Sequence, residues 1–139
     1  QPLSADALDA NAALRDRGVR IGFDEGAIRH APETIAAADA ADAIVCKPMA
    51  LGGPMRAAAV AQRGRECDLA PIVSTTVDAA LGRAAAVHVA AAIPDVEPCG
   101  LATADRLATD VAPDAAPIED GAARVPQDGG LGVRLPERP

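Results

Sequence analysis

The sequence predicts an α/β protein organised around a parallel β-sheet. Short apolar segments begin near residues 19, 43, 70 and 97, and helical hydrophobic patterns lie between them. Wholly apolar strands that alternate with helices of roughly 10–15 residues are typical of βαβ units on a sheet buried on both faces. Right-handed crossovers between such units produce either an open doubly wound sheet or an arc of a barrel, so we expect about four βα units.

The first two repeats carry helix-terminal residues as well as hydrophobic patterns. Ser4 and Gly18 are residue types preferred at the N-cap and the C′ position of a helix, so they bound the first predicted helix. A strand is predicted at 19–23. Pro32 favours a second helix over 32–41, because proline is well tolerated in the first helical turn.

The later repeats follow the same order, and they end in a segment of different composition. Strands are predicted at 43–46, 70–73 and 97–101, and helices at 55–66, 78–92 and 104–111. We assign 1–112 to this repeating domain. Asp, Pro and Gly dominate the residues that follow, so 113–139 is predicted to be an extended tail with a short strand at 124–125.

The charge and the apolar runs limit the classes of partner. The formal net charge of −7 disfavours nucleic acid and anionic membrane surfaces as main partners. No apolar run approaches the roughly 20 residues of a membrane span, and no secretory signal pattern opens the chain. The three cysteines form no C-x-x-C pair, so we interpret them as small buried thiols in a reducing compartment and expect a cytoplasmic protein.

Polar residues follow each predicted strand, where parallel α/β proteins place their functional sites. Asp24 follows the first strand, Lys47 the second, Ser74 and Thr75 the third, and Gly100 lies in the last. An acid, a base, hydroxyl groups and a glycine are therefore expected at one edge. This set suits proton abstraction next to a carboxylate, with a metal stabilising the enolate charge. A single carboxylate does not hold Mg²⁺ by itself, because that ion takes an octahedron of oxygens.

Each of these residues also has a purely structural interpretation. Asp24 or Glu25 would stabilise the N-terminus of a following helix through its dipole. Lys47 would extend from a strand end into solvent. Ser74 and Thr75 would cap the next helix. Residue spacing alone leaves both interpretations open.

Several motifs nevertheless resemble the second half of an enolase-superfamily barrel. One is the Asp-Glu pair at 24–25 after a short strand, and another is the K-P-x-x-x-G-G pattern at 47–53. Within that superfamily the chain is most similar to the o-succinylbenzoate synthase family of menaquinone biosynthesis. The run STTVD at 74–78 resembles the family's S-S-x-[LI]-[DE]-[TS] stretch, and CGLAT at 99–103 resembles its C-G-L-G-T ending. QP at 1–2 resembles the E-Q-P that follows the fourth barrel strand.

The resemblance implies a role for each residue at the predicted edge. Asp24 would be the third acidic Mg²⁺ ligand, and Lys47 would act as an acid/base or as a cation facing the enediolate intermediate. Ser74, Thr75 and Gly100 would contact the carboxylate-bearing arm of a small-molecule substrate. The family reaction dehydrates 2-succinyl-6-hydroxy-2,4-cyclohexadiene-1-carboxylate to 2-succinylbenzoate through a metal-stabilised enediolate.

The resemblance also implies that part of the machinery lies elsewhere. A complete eight-unit barrel takes roughly 250 residues, so these 139 correspond to the C-terminal half of a TIM-type barrel with a tail. The family's second-strand lysines and its other acidic ligands would lie upstream of Gln1, in the N-terminal half of the same polypeptide. We expect the 139 residues alone to be inactive.

Two alternatives to the synthase remain open. One is an enolase-superfamily racemase or epimerase that acts on N-succinylamino acids or dipeptides. The other is a half-barrel without catalytic function. The alanines at 79 and 80, where hydroxylated residues are common, and Ala102, where glycine is usual, loosen the substrate assignment more than the superfamily assignment.

Overall fold

Three parallel strands form the central sheet in the order β1-β2-β3. The structure is a computed structural model, and it describes residues 1–136. β1 is Gly22–Phe23, β2 is Ala43–Cys46 and β3 is Ala70–Val73. Phe23 pairs with Ile44, and Cys46 pairs with Val73. The predicted α/β class with a parallel sheet is confirmed.

Helices precede and follow these strands in the predicted alternation. They are α1 (Leu8–Arg15), α2 (Glu25–Arg29), α3 (Pro32–Ala37), α4 (Pro48–Leu51), α5 (Pro54–Glu66) and α6 (Ala80–Ala92). Proline occupies the first turn of α3, α4 and α5, where its missing N–H leaves no helical hydrogen bond unmade. Within residues 1–136, no helix is long and apolar enough to cross a membrane.

The predicted strand at 97–101 is reduced to one parallel bridge between Ser74 and Gly100. The Gly100 N–H donates to the Val73 carbonyl at 2.9 Å, and the Thr75 N–H donates to the Gly100 carbonyl at 3.1 Å. Pro98 interrupts the ladder, because proline has no N–H to donate. On the other side of Pro98, the Glu97 N–H donates to the Pro71 carbonyl of β3 at 3.3 Å, so the segment follows β3 without forming a continuous ladder.

The first residue of α1 and the last residue of α3 differ from the prediction. α1 begins at Leu8 rather than near Ser4, because the Ala7 N–H donates to the Ser4 carbonyl in a preceding turn. α3 ends at Ala37, and the chain leaves it through Asp39 with φ of +52°. Two short helices were not predicted: α2 follows β1 directly, and α4 follows β2 after Lys47.

The predicted helix over 104–111 is one turn of 3-10 helix at Ala104–Arg106. The residues after it are held instead by contacts with distant parts of the chain. Asp110 accepts hydrogen bonds from the Ala80 N–H at the start of α6, with distances of 2.9 and 3.0 Å to its two carboxylate oxygens. A continued helix would carry Asp110 along a different path.

Branched aliphatic residues and the single aromatic fill the space between the sheet and the helices. Ile21, Phe23, Ile35, Ile44 and Val73 are all buried, with exposed fractions of at most 2%. The buried residues of α5 and α6 are mostly alanines. Small side chains bring these helices close to the strands, so the core contains little apolar area per residue but is closely packed.

The C-terminal segment is tied to α6 by a buried arginine that the sequence patterns do not reveal. The Arg83 side chain is 1% exposed and contacts the Asp114 carboxylate. Its Nη1 donates to the Ala116 carbonyl at 3.0 Å. Burial lowers the pKa of Arg83, and the nearby Asp110 charge opposes that shift. Ala116 is fully buried.

Beyond this anchor the chain forms a small antiparallel hairpin rather than a strand at 124–125. Its strands are β4 (Ile118–Glu119) and β5 (Ala122–Ala123). Gly121, with φ of +79°, lies in the turn between them. The domain boundary between residues 112 and 113 stays a prediction, and residues 137–139 of the predicted tail lie outside the described residues.

At the opposite edge of the sheet, Asp42 joins α1 to the strands. Its Oδ1 accepts a hydrogen bond from Arg15 Nε at 2.7 Å, and its Oδ2 accepts one from the Ile21 N–H at 2.7 Å. Burial opposes ionisation of Asp42, but these two hydrogen bonds outweigh it and lower the pKa of the carboxyl group.

Replacing Arg83 with methionine is expected to lower the free energy of unfolding by about 3 kcal/mol, the lower end of the range for breaking a buried ion pair. The loss stays at that end because the Asp114 side chain keeps 28% exposure and becomes hydrated. Urea unfolding followed by circular dichroism measures it. The control is Arg17→Met at an exposed position, and equal unfolding midpoints for the two variants would contradict the anchoring role.

The Asp42→Asn variant is expected to be destabilised at pH 7 by about 1 kcal/mol, the usual net contribution of such a hydrogen bond. A lowered folded-state pKa stabilises the protein above the unfolded-state value near 3.9, and that contribution disappears as the pH falls through the folded-state pKa. The difference from the unsubstituted protein should therefore shrink as the pH falls below the unfolded-state value and through the lower folded-state pKa of Asp42. Urea unfolding at several pH values, with exposed Asp16→Asn as control, tests this; a difference independent of pH would refute it.

Candidate active site at the carboxyl edge of the sheet

Asp24 and Lys47 meet at the carboxyl edge of the sheet. Asp24 follows β1, and Lys47 follows the neighbouring strand β2. Lys47 Nζ lies 2.6 Å from Asp24 Oδ2, and the two side chains are only 20% and 28% exposed. The structural interpretation of Lys47 as a solvated strand-end lysine does not describe this geometry. A half-buried carboxylate–ammonium pair faces the edge instead.

Lys47 is the only lysine in the sequence, and the other twelve basic residues are arginines. In the described part of the chain, one ion pair involves histidine and all the others besides Lys47–Asp24 involve arginine. Examples are Arg63 with Glu33 and Arg20 with Glu97. Lysine differs from arginine in that its ammonium group readily gives up and takes up a proton in proteins. The single lysine therefore lies at the end of the sheet where the sequence predicts proton abstraction.

The Asp24 carboxylate is free to pair with Lys47 because another side chain bonds the turn after β1. Asp24 is the N-cap residue of α2 but makes no side-chain capping hydrogen bond. Gln1 Oε1 accepts hydrogen bonds from the Asp24 N–H at 3.2 Å and from the Gly26 N–H at 2.8 Å. Glu25 is exposed in the first turn of α2. The sequence patterns do not indicate this role for Gln1.

Ser74 and Thr75 follow β3, the strand next to β2, and lie together with Gly100 at the same end of the sheet. Ser74 Oγ lies 3.2 Å from the Gly100 carbonyl oxygen. Thr75 is only 6% exposed, and its Oγ1 lies 2.8 Å from Thr103 Oγ1. The three predicted residues form one cluster with Thr103. We call Ser74, Thr75, Gly100 and Thr103 the hydroxyl cluster, after the hydroxyl groups of its serine and two threonines. Thr103 is a member that the sequence analysis missed; its signal is its place in the CGLAT run.

These hydroxyl groups do not cap α6. The N-cap residue is Ala79, and the Ala80 N–H is bound by the Asp110 carboxylate. The hydrogen bonds from Ala80 and from the backbone N–H groups that follow Asp110 lower the pKa of Asp110. The capping explanation for Ser74 and Thr75 is therefore not supported, because a residue thirty positions away supplies the cap.

The loop between β3 and α6 holds an unusual backbone conformation. Val77 has φ of +66°, and its side chain is 46% exposed. A β-branched residue rarely adopts this region, and such strain concentrates at functional sites. The next residue, Asp78, is buried; its Oδ1 contacts the Thr76 hydroxyl, and its Oδ2 has no partner among the described residues. The strained loop adjoins the hydroxyl cluster.

The described residues do not by themselves fit a magnesium ion. Asp24 supplies one carboxylate at the edge, and within residues 1–136 no group of three or more His, Cys, Asp or Glu side chains converges on a point that would hold a metal. Mg²⁺ is usually bound through more than one acidic or phosphate oxygen in addition to water. Asp24 is thus one ligand at most, and the ammonium group of Lys47 is its present partner.

The cysteines take no part in this edge chemistry. Cys46, at the end of β2, is fully buried, and burial raises the pKa of its thiol to about 12. Burial also raises the pKa of Cys99. Both thiols therefore stay protonated near neutral pH, and Cys46, Cys67 and Cys99 are all free of disulfides. Cys46 is buried as predicted, whereas Cys67 and Cys99 are only partly buried.

Gly100 is required by the close approach of Ser74. A Cβ atom at residue 100 would lie 2.7 Å from Ser74 Oγ and 3.4 Å from Ser74 Cβ. The Gly100→Ala variant should displace the Ser74 hydroxyl, which can rotate about χ1, and lose about 1 kcal/mol of stability, the lower end of the cost of overpacking. Urea unfolding measures the loss, and Gly22→Ala is the control because its Cβ would meet nothing within 4 Å. Equal stability of the two variants would contradict the close contact.

Comparison with known proteins identifies the family. The model of the family described as enolase C-terminal domain-like matches residues 1–138. The o-succinylbenzoate synthase of Thermobifida fusca (strain YX) is 41% identical over 111 residues, which are 77% of this chain and 34% of that protein. The o-succinylbenzoate synthase of Mycobacterium ulcerans (strain Agy99) is 40% identical over 115 residues, 80% of this chain and 34% of that protein. The chain thus spans about a third of the length of these curated relatives.

Solved structures show the same fold. 2-Chloromuconate cycloisomerase from Rhodococcus opacus 1CP has a TM-score of 0.89 at 26% identity, covering 98% of this chain and 38% of that one. A mandelate racemase/muconate lactonizing family protein from Azoarcus sp. EbN1 has a TM-score of 0.82 at 30% identity, covering 97% of this chain and 40% of that one. The chain belongs to the enolase C-terminal domain-like family, and its predicted likeness to o-succinylbenzoate synthases is confirmed.

Proposed function

We propose that these residues work within an o-succinylbenzoate synthase. The reaction is the Mg²⁺-dependent dehydration of 2-succinyl-6-hydroxy-2,4-cyclohexadiene-1-carboxylate to 2-succinylbenzoate, a carbon–oxygen lyase step of menaquinone biosynthesis. The observation that carries the proposal is the 2.6 Å pair of Lys47 and Asp24 beside a hydroxyl cluster. It occurs in a chain about 40% identical to curated synthases over most of its length.

Lys47 is the group on this chain suited to the proton chemistry. The reaction requires that a proton leave the carbon next to the substrate carboxylate and that negative charge accumulate on that carboxylate. Lys47 would either transfer this proton or face the enediolate as a cation. Its stem is largely buried, and the hydrogen bond to Asp24 fixes the direction of its Nζ. Loss of water makes the ring aromatic, so stabilising the intermediate is the main task.

The hydroxyl cluster is suited to the other end of the substrate. Ser74 and Thr75 carry O–H donors, and a carboxylate accepts several hydrogen bonds. Gly100 lets the backbone approach closely, because no side chain fills the space next to Ser74. These residues would bind the succinyl carboxylate while Lys47 acts at the ring carboxylate.

The proposal includes a second part of the polypeptide. Asp24 would be one Mg²⁺ ligand, and the remaining acidic ligands and a second lysine would come from an N-terminal half that completes the barrel. When bound, the metal supplies positive charge against the developing enediolate. The open edge of β1 is where such a half would continue the sheet, since a closed barrel has no free strand edges.

We place the enzyme in the cytoplasm, where the three free thiols would remain reduced.

Turnover by the 139 residues alone and by the longer polypeptide tests the proposal. The 139-residue chain should show no dehydration at millimolar Mg²⁺, because it lacks the other ligands; robust dehydration would contradict the need for an N-terminal half. In the longer polypeptide, Lys47→Ala should lower kcat by about 10²–10⁴-fold, the usual contribution of general acid–base catalysis. Arg17→Ala, at an exposed position, is the control and should leave kcat unchanged.

The same assay separates the alternatives. A racemase or epimerase would exchange the α-proton of N-succinylamino acids or dipeptides with solvent deuterium and leave the cyclohexadiene substrate intact. A half-barrel without catalytic function would do neither, and Lys47→Ala would change nothing but stability. Dehydration that survives Lys47→Ala at full rate would refute the role of Lys47.

A further inference from the structure

Thr103 occupies a fixed position next to the hydroxyl cluster's most buried member. It follows Gly100, which bridges to β3, and Leu101, which is 7% exposed in the core. It also precedes the one-turn 3-10 helix at Ala104–Arg106 but forms no side-chain cap for it. The Thr103 hydroxyl is therefore not used by its own segment. Its partner is Thr75 Oγ1 at 2.8 Å.

The Gly100 carbonyl is a weaker acceptor for the Thr75 hydroxyl than Thr103 is, because its distance from Thr75 Oγ1 is longer. It already accepts the Thr75 N–H at 3.1 Å, and Ser74 Oγ lies 3.2 Å from it. A carbonyl oxygen has two lone pairs. Thr75 Oγ1 lies 3.4 Å from the same oxygen, beyond the usual O–H···O range. The 2.8 Å contact with Thr103 is therefore the effective hydrogen bond of the Thr75 hydroxyl.

Each hydroxyl has one proton, so which threonine donates depends on whether a ligand also accepts a hydrogen bond from one of them. Without a ligand, either hydroxyl can donate to the other. An ionised carboxylate accepts hydrogen bonds but does not donate them, so the Thr75 O–H would donate its hydrogen bond to a bound carboxylate. Thr103 then donates to Thr75. The hydrogen bond from Thr103 to Thr75 and the one from Thr75 to the carboxylate strengthen each other.

We infer that Thr103 is a positioning residue that turns the Thr75 hydroxyl toward a substrate carboxylate. Thr103 does not touch the carboxylate in this arrangement and acts through Thr75. The inference rests on the proposed function for the identity of the substrate, while the hydroxyl pair itself requires only a carboxylate ligand. The competing explanation is that the pair merely ties residues 101–106 to β3.

The first experiment titrates the 139-residue chain with succinate and follows the backbone amide signals of residues 75 and 103 by NMR. Thr103→Val removes the hydroxyl and keeps the shape, and its succinate Kd should rise about fivefold, as for the loss of one hydrogen bond. Thr103→Ser keeps the hydroxyl and should bind within about twofold of the unsubstituted chain. Thr109→Val, at an exposed position, is the control and should not change Kd.

Three results would overturn the inference. One is an unchanged Kd in Thr103→Val, and another is no shift at residue 75 at saturating succinate. The third is equal weakening in Thr103→Val and Thr103→Ser with parallel losses of thermal stability, since that pattern describes a tether rather than a donor.

A second experiment keeps this inference separate from the proposed function. In the longer polypeptide, Thr103→Val should raise KM for the cyclohexadiene substrate about fivefold with kcat changed less than about twofold, and Thr103→Ser should restore KM. Dehydration with an unchanged KM in Thr103→Val would refute the positioning role and leave the synthase intact. Succinate binding that depends on the Thr103 hydroxyl, in a polypeptide that does not dehydrate the substrate, would refute the synthase and leave the positioning role intact.

Discussion

Parallel pairing of β2 with both of its neighbours is the constraint on which the candidate site depends. Cys46 pairs with Val73, so the next residues along the two strands, Lys47 and Ser74, leave the sheet side by side. Adjacent strands lie roughly 4.8 Å apart, so short polar side chains from successive strand ends come within reach of one substrate. A slip of one residue in this register would turn Lys47 to the other face.

Basic residues are divided between structure and chemistry. Arg15, Arg63 and Arg83 join elements that are distant in sequence through carboxylate partners. The guanidinium group suits this work because it is always charged and presents several donors in a fixed geometry. The single lysine lies at the carboxyl edge, where we propose that it takes part in proton transfer. A chain with many lysines would not display this division.

The C-terminal segment contacts α6 and so holds the elements next to the candidate site in place. Asp110 binds the first turn of α6, which follows the strained loop at Val77. Arg83, on the same helix, holds Asp114 and Ala116. Residues 101–106 lie between these anchors and the Ser74–Gly100 bridge, so Thr103 is held against Thr75 from both ends. Sites on such supported segments are more precisely positioned than sites on free loops.

The sequence by itself determined the alternation of strands and helices, because apolar runs and helix-terminal prolines act locally. It also determined that Asp24, Lys47 and Ser74 follow successive strands, and its motifs placed the chain in its family. Only the tertiary structure decided that Asp24 pairs with Lys47, that Asp110 rather than a hydroxyl caps α6, and that Thr103 meets Thr75. These contacts join residues 23 to 30 positions apart. No local pattern encodes such pairs, because they depend on how neighbouring strands and loops are brought together by the sheet.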